Sequence, residues 1–213
     1  MTLFYYLETM LMRFLLRLLM RWKVRGKEKV PTQGPLIVVA NHLSLTDPPL
    51  LSASIQRRIV FMAKEEVFHH PLQGPLVRGF RAFPVRRGQL DREALRYAEQ
   101  VLKEGLALGM LPEGTRSPTA QMQKAYSGTS LLALRSGAPI LPVGITGTER
   151  LKGTGWLRRP KLTVNIGEPF NLPPIDGKLD KAQLAQSTDF IMGRIARLLP
   201  ESYQGVYGDR KGC

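Results

Sequence analysis

Short apolar runs alternate with stretches of helical periodicity along most of this chain. Residues 36–40 read Leu-Ile-Val-Val-Ala, an uncharged and largely β-branched run that is typical of a strand buried on both faces. The same patterns predict strands at 58–63, 107–111, 140–145 and 161–166, and helices at 48–55, 90–104, 127–136 and 179–199. Strands separated by helices of this length predict an α/β fold, with a mainly parallel mixed sheet flanked by helices. Residues 203–213 are expected to form a frayed tail.

The first thirty residues have a different pattern, because they are both apolar and basic. At 100° per residue, Arg13, Arg17 and Arg21 fall along one narrow stripe. The opposite side of this predicted amphipathic helix is apolar and consists of Leu11, Met12, Phe14, Leu15, Leu18 and Leu19. Charges interrupt the segment before the roughly 18 to 20 apolar residues of a membrane span, and no signal-peptide cleavage pattern follows.

This helix has two interpretations: its apolar face packs on the core of the protein, or it lies on a membrane surface. The seven basic residues among residues 1–30, against two acidic ones, favour an anionic leaflet as the partner. We therefore expect residues 1–30 to be a membrane-associating segment and residues 31–213 to be the folded domain.

Composition limits the remaining possibilities. A chain of 213 residues that is 43% hydrophobic can bury one substantial core. Its net charge of +14 indicates an anionic partner, either a nucleic acid, a membrane surface or a phosphorylated substrate. The single cysteine, Cys213, excludes an internal disulfide, and we expect neither a metal site nor a cofactor.

The first candidate for chemistry is the segment Asn41-His42-Leu43-Ser44-Leu45-Thr46-Asp47. His42 and Asp47 would lie about 140° apart on a continuous helix, so they can pair only if the segment turns. A loop after Asn41 would bring the Asp47 carboxylate to Nδ1 of His42 and leave Nε2 as a general base. The alternatives are that Asp47, which precedes Pro48, simply caps a helix and that His42 is an ordinary loop or core histidine.

The second candidate is the run Glu113, Gly114, Thr115 and Arg116, directly after the predicted strand 107–111. Ligands bind at the carboxyl ends of strands in open α/β sheets, which is where this run and His42 would both lie. Guanidinium groups match phosphate oxygens, so Arg86 and Arg116 are candidates for holding a phosphate, and Lys124 would add positive charge nearby. Gly114 and Thr115 would let the backbone approach a ligand closely. Alternatively, the run is a turn after a strand, and the arginines are solvated surface residues.

The two segments resemble the first and third motifs, HxxxxD and EGTR, of the glycerolipid acyltransferases that include the 1-acylglycerol-3-phosphate acyltransferases. Weaker matches to the second and fourth motifs occur in the expected order, at residues 79–86 and 138–143, so the resemblance spans roughly residues 31 to 170. It implies an acyltransferase domain at residues 31–213, with His42 as a general base oriented by Asp47. It also implies that the substrate is bound by Arg86, Glu113, Gly114, Thr115 and Arg116.

The resemblance further implies a reaction in phospholipid biosynthesis. Acyl-CoA or acyl carrier protein would donate a fatty acyl group to the free hydroxyl of lysophosphatidic acid, giving phosphatidic acid. We expect direct transfer, because no Gly-x-Ser-x-Gly nucleophile elbow occurs. Such an enzyme would be a peripheral protein on the cytoplasmic face of a bacterial-like cell membrane.

Two alternatives stay open. The acceptor could be another lysolipid, including one with a larger headgroup, a lipid A precursor or an ornithine lipid. From a different class, the positive charge would also suit a basic nucleic-acid-binding module. Aromatic residues are only 8% of the chain, however, and no run interleaves Arg with Phe or Tyr as a platform for base stacking would. We therefore expect no nucleic-acid partner.

Overall fold

The sheet of this protein is nearly all parallel. A computed structural model describes residues 3–71, 73–79, 82–86, 91–174 and 179–208. Its strands are β1 Arg21–Arg25, β2 Leu36–Ala40, β3 Ile59–Lys64, β4 Phe83–Val85, β5 Ala107–Met110, β6 Ile140–Thr146 and β7 Lys161–Ile166. Within the described residues they form one sheet in the order β1-β7-β6-β2-β5-β3-β4, in which only the β6–β7 pair is antiparallel. The predicted α/β class with a mainly parallel mixed sheet is confirmed.

Helices connect the strands. The α-helices are α1 Leu3–Leu19, α2 Asp47–Ser54, α3 Glu65–His69, α4 Gln73–Gly79, α5 Arg92–Lys103, α6 Gly128–Ser136, α7 Lys181–Ala196 and α8 Glu201–Gln204. Short 3-10 helices lie at Lys27–Lys29, Thr148–Leu151, Gly155–Arg158 and Gly205–Tyr207. Each predicted strand and helix from residue 36 to residue 199 is present, with ends shifted by a few residues.

The alternation of side chains along β2 divides the core into two layers. Ile37 and Val39 face the layer that α5, α6 and α7 cover, whereas Leu36, Val38 and Ala40 face the layer that α1 and α2 cover. All five are fully buried, because β2 lies in the middle of the sheet with β5 on one side and β6 on the other. The carboxyl end of β2, where His42 follows, is therefore held from both faces and both sides.

The N-terminal segment differs from its prediction in two respects. Helix α1 ends at Leu19, so Arg21 does not extend its basic stripe but begins β1, an edge strand paired with β7. This strand was not predicted, because its Arg-Trp-Lys-Val-Arg alternation has charged residues on the exposed face and so resembles a basic surface segment. Nε of Arg13 donates a hydrogen bond to the Ala53 carbonyl at 2.9 Å, which ties that side chain to α2.

Helix α1 is apolar on two faces, of which one packs on the core and the other is exposed. Leu16 is buried against the core and is only 7% exposed. The opposite face carries exposed apolar side chains with fractional exposures of 54% to 64%, namely Leu7, Met10, Leu11, Phe14 and Leu18, which we call the α1 apolar stripe. Among the described residues, no helix is both long enough and apolar enough to span a bilayer.

The C-terminal region is folded further than expected. Residues 203–208 were predicted to belong to a frayed tail, but Tyr203 and Gln204 end α8 and Tyr207 is buried in the core. The Tyr207 hydroxyl accepts a hydrogen bond from the Ala125 amide at 3.1 Å. Burial of this tyrosine fixes the segment, and the prediction was wrong for these residues. Its remainder, residues 209–213, lies outside the described part of the chain.

Candidate active site

His42 and Asp47 form a buried pair at the carboxyl end of β2. Nδ1 of His42 lies 2.9 Å from Oδ2 of Asp47, and the two residues are 6% and 0% exposed. The same Oδ2 accepts hydrogen bonds from the backbone amides of Leu43 and Ser44, at 2.6 Å and 2.7 Å. The turn inferred from the spacing is therefore a loop that closes around the Asp47 carboxylate.

The pairing determines which nitrogen of His42 is available for chemistry. An ionised carboxylate only accepts hydrogen bonds, so Nδ1 of His42 is the donor in this contact. In the neutral imidazole, Nε2 then carries a lone pair and no proton. This arrangement suits a general base whose orientation is fixed by the carboxylate behind it.

Asp47 does not cap helix α2, which was the structural alternative for this residue. The N-cap is Thr46, and Asp47 is the first helical residue. Its carboxylate turns back over the preceding loop, because the amides of Leu43 and Ser44 offer it donors there. The helix-cap interpretation is wrong.

Thr148 binds the second oxygen of the Asp47 carboxylate, and this residue was not predicted from the sequence. Its hydroxyl donates a hydrogen bond of 2.6 Å to Oδ1 of Asp47, and the residue is fully buried. Thr148 begins the 3-10 helix just after β6, which is a parallel neighbour of β2. A hydroxyl residue just beyond the carboxyl end of an adjacent parallel strand was the available signal, but many serines and threonines share that property.

Asn41 anchors the start of the His42 loop. Its side chain accepts a hydrogen bond from the Ile145 amide at 2.7 Å and donates one to the Ile145 carbonyl at 2.9 Å. The side chain of Asn41 is fully buried, and both hydrogen bonds join it to β6. Asn41 is therefore more than a turn residue, because it continues the β2–β6 ladder past the point where β2 ends.

Glu113 joins the His42 loop to the loop that follows β5. Its Oε1 accepts a hydrogen bond from the backbone amide of His42 and its Oε2 accepts one from the amide of Gln123, both at 2.9 Å. The amide of Ser117 in turn donates to the His42 carbonyl at 2.8 Å. Glu113 thus binds the amide of His42, and Ser117 binds its carbonyl.

Burial changes the acidity of Glu113. The residue is 2% exposed, and loss of solvation raises the pKa of its carboxyl to about 7, with a further increase from the charge of Asp47. The two amide donors oppose this increase without cancelling it. With both oxygens bound to backbone amides, the carboxyl of Glu113 positions two loops and does not face an open site.

The remaining residues of the Glu113 run lie at the surface. Gly114 has a φ of +66°, and a Cβ there would lie 2.9 Å from the Tyr126 ring, so glycine suits this turn on both counts. Thr115 and Arg116 are exposed. Arg116 lies between Glu113 and Ser117, which both bond to the main chain of His42, so the backbone of Arg116 is held near that histidine.

Arg86 is on the same edge of the sheet but lies apart from the other candidate residues, which follow β2 and β5. It follows β4, which is three strand spacings from β2, or about 14 Å. Its Nε donates a hydrogen bond to Oε2 of Glu65 at 3.1 Å. Lys124 is also exposed and follows Gln123, whose amide binds Glu113. Within the described residues, no group of three or more histidine, cysteine or acidic side chains is placed to hold a metal.

An apolar groove of about 190 Å³ lies between α1 and residues that neighbour Asp47. Helix α1 forms one wall, through Met12, Leu15, Leu16 and Leu19. Thr46 and Thr148 also line it, and these two residues are the chain neighbour and the hydrogen-bond donor of Asp47. An apolar chain lying in this groove would therefore contact Thr46 and Thr148, the neighbours of Asp47.

Comparisons with known proteins agree with one another. A family model described as "Acyltransferase" matches residues 21–146, a range that begins at the first residue of β1. The 1-acyl-sn-glycerol-3-phosphate acyltransferase of Bacillus subtilis is 28% identical over 177 residues, which cover 83% of this chain and 87% of that protein. The enzyme of the same name from Streptococcus pneumoniae is 29% identical over 202 residues, covering 91% and 74%. The crystal structure of the 1-acyl-sn-glycerophosphate acyltransferase PlsC from Thermotoga maritima has a TM-score of 0.70 at 28% identity, covering 91% of this chain and 78% of that one.

Proposed function

Because this chain belongs to the acyltransferase family, we propose that it transfers a fatty acyl group from a thioester donor to the free hydroxyl of lysophosphatidic acid, giving phosphatidic acid. The observation that carries the proposal is the 2.9 Å contact between Nδ1 of His42 and Asp47, which leaves Nε2 as the base at the edge where Arg116 is exposed. The names of the relatives from Bacillus subtilis and Streptococcus pneumoniae support this acceptor.

The proposed mechanism is a direct transfer. Nε2 of His42 takes the proton of the acceptor hydroxyl as its oxygen attacks the carbonyl carbon of the thioester. The tetrahedral intermediate then expels the thiolate, breaking the carbon–sulfur bond, and the imidazolium returns the proton to the departing sulfur. Asp47 keeps the imidazole in one orientation and stabilises the imidazolium that forms between the two steps.

An acyl-enzyme route has less support. Ser44 is the hydroxyl nearest to His42 in the sequence, but its Oγ accepts a hydrogen bond from the Thr46 hydroxyl at 3.0 Å and its amide is bound to Asp47. Ser44 therefore stabilises the turn around the carboxylate. A nucleophile would instead need a hydrogen bond from its own hydroxyl to the base.

We propose that Arg116 binds the phosphate of the acceptor, and that Gly114 and Thr115 let the backbone approach it closely. The guanidinium forms paired hydrogen bonds with phosphate oxygens, and its exposure leaves it accessible to a ligand. Arg86 would join it only after exchanging its bond to Glu65 for one to the phosphate. Glu113 contributes indirectly, since both of its carboxyl oxygens are bound to backbone amides and it holds the loops of the site in place.

We also propose that the protein is attached peripherally to an anionic membrane, on the cytoplasmic face, through the α1 apolar stripe. Full burial of one large apolar side chain contributes roughly 1.5–3 kcal/mol, so partial burial of five gives useful affinity together with the basic residues. The apolar groove would then open beside the membrane and receive a lipid chain.

The decisive experiment supplies purified protein with labelled oleoyl-CoA or oleoyl acyl carrier protein and a panel of lysolipids. We expect labelled phosphatidic acid from lysophosphatidic acid, and the comparison of donors identifies the one that the enzyme uses. Product from a lysolipid with a larger headgroup, and none from lysophosphatidic acid, would replace the proposed acceptor. Tight binding to short DNA at physiological salt without vesicle binding would favour the nucleic-acid alternative.

A further inference from the structure

The loop before β7 carries exposed apolar and basic side chains together. Residues 152–160, which we call the Trp156 loop, contain the 3-10 helix Gly155–Arg158. Trp156 is 42% exposed and Leu157 is 61% exposed. The exposed basic residues of the loop are Lys152, Arg158 and Arg159. No ion pair involves these three within the described part of the chain.

The Trp156 loop lies beside α1. Trp156 forms part of the same groove wall as Leu151, opposite the α1 side chains that include Leu15 and Leu19. The carbonyl of Pro160, at the end of the loop, accepts a hydrogen bond from the amide of Arg21 at 3.1 Å. Since α1 ends two residues before Arg21, the loop and the C-terminal end of α1 are held next to each other.

The backbone of Arg159 is in the left-handed conformation, in which glycine is the ordinary residue. Arg159 has a φ of +46° and its amide donates to the Trp156 carbonyl, which closes the 3-10 turn. A side chain in this left-handed conformation costs free energy relative to glycine. The turn therefore does not require an arginine, and the exposed side chain of Arg159 is accessible to a partner.

We propose that the Trp156 loop is a second lipid contact: Trp156 and Leu157 enter the headgroup region of an anionic bilayer, and Lys152, Arg158 and Arg159 bind lipid phosphates. Tryptophan is enriched at membrane interfaces, and basic residues beside it are attracted to anionic leaflets. This inference rests on the proposed membrane attachment through α1. Two neighbouring contacts would also fix the orientation of the protein relative to the bilayer, which a single contact would not.

The loop can be observed directly, because the chain has only two tryptophans. The substitution Trp22→Phe leaves Trp156 as the sole tryptophan, in full-length protein. Vesicles of phosphatidylglycerol and phosphatidylcholine with bromines at different acyl depths should quench its fluorescence, most strongly for the shallow bromines. Sedimentation with the vesicles without quenching would overturn the loop contact but leave the α1 attachment standing, whereas absence of sedimentation would contradict the membrane attachment itself.

A charge variant tests the same contact independently. Arg158→Gln combined with Arg159→Asn removes two charges while keeping a residue that tolerates the left-handed conformation. At about 1 kcal/mol per charge, vesicle binding should weaken by about thirty-fold, and added salt should reduce the difference. The matched control is Arg96→Gln with Lys103→Gln on α5, which covers the opposite face of the sheet from α1. Equal weakening in both double variants would mean that net charge alone acts, and would overturn the loop as a specific contact.

Discussion

The hydroxyl of Thr148 lies 2.6 Å from Oδ1 of Asp47, the carboxylate oxygen that His42 does not contact. This bond links the end of β6 to the base-bearing loop after β2 and prevents the carboxylate from rotating. Under the proposed mechanism the carboxylate orients the imidazole, so Thr148 would be a positioning residue that acts on the chemistry through Asp47.

Replacing the Thr148 hydroxyl should slow the chemical step. A hydrogen bond to a charged group contributes about 1.5–3 kcal/mol, so Thr148→Val should lower kcat by roughly ten-fold or more. Thr148→Ser, which keeps the hydroxyl, should retain most of the activity. The pH profile of kcat separates this role from simple packing, because the valine variant should shift the apparent pKa of the base. Identical profiles and equal losses in both variants would make Thr148 a structural residue only.

Removal of the His42 side chain should abolish turnover without unfolding the protein. General base catalysis contributes typically 10²–10⁴-fold, so His42→Ala should lose at least about a hundred-fold in kcat. The main-chain contacts of His42 with Glu113 and Ser117 do not involve its imidazole and should hold the loop in place. His69→Ala, at an exposed histidine, is the matched control and should retain full activity. Near-normal activity of the His42 variant would exclude the proposed base.

The order of strands and helices followed from the sequence because each core strand is a short apolar run and the helices between them have clear ends. Asp91, for example, caps α5 by accepting hydrogen bonds from the amides of Glu93 and Ala94. Strand β1 escaped prediction because an edge strand with one charged face has the composition of a basic surface segment. Tyr207 escaped prediction because its burial depends on residues distant in sequence.

The site was predictable only where the chemistry is local. The His42–Asp47 contact followed from the need for a turn between two residues that are five positions apart. Thr148 is 101 positions from Asp47, and only the parallel pairing of β2 with β6 brings it there. The role of Glu113 was also hidden, because the sequence cannot show that both carboxyl oxygens are occupied by backbone amides.

Ionisation of Glu113 should make the protein less stable as the pH rises. Its folded pKa of about 7 is above the ordinary value of 4.5, so the native state binds this proton more tightly than the unfolded chain does. The resulting stabilisation is fully present below pH 4.5 and is lost as the pH rises through 7. The change is about 3 kcal/mol in the free energy of unfolding.

Urea unfolding between pH 4 and 8 measures this effect by comparison with Glu113→Gln. The glutamine cannot ionise, so its curve should lack the decrease assigned to Glu113, although the variant loses one of the two hydrogen bonds to backbone amides. The stability difference between wild type and variant should therefore shrink as the pH rises. Parallel curves for the two proteins would show that the carboxyl of Glu113 keeps an ordinary pKa.

Arg116→Ala should mainly weaken binding of the phosphorylated acceptor. Loss of charge-assisted hydrogen bonds costs about 1.5–3 kcal/mol, which predicts a KM for lysophosphatidic acid that is roughly ten- to a hundred-fold higher. Arg116→Lys should recover part of the loss, because lysine keeps the charge but not the paired geometry. Monoacylglycerol, which has no phosphate, is the control acceptor, and its KM should not change. An unaltered KM for lysophosphatidic acid would place the phosphate site elsewhere.

Substituting two leucines of α1 tests membrane binding and folding independently, because the two residues are identical in type but differ in exposure. Leu18 is 54% exposed on the α1 apolar stripe, whereas Leu16 is 7% exposed in the core. Leu16→Ala should lower the free energy of unfolding by about 2–4 kcal/mol, because it leaves a cavity. Leu18→Ala should leave stability unchanged and weaken partition into phosphatidylglycerol vesicles by about ten-fold, because it removes apolar surface that, under the proposed attachment, the lipid would cover. Denaturant unfolding and vesicle sedimentation on both variants measure the two effects. If Leu18→Ala bound vesicles as wild type does, the stripe would not be the membrane contact, whatever the stability of the Leu16 variant.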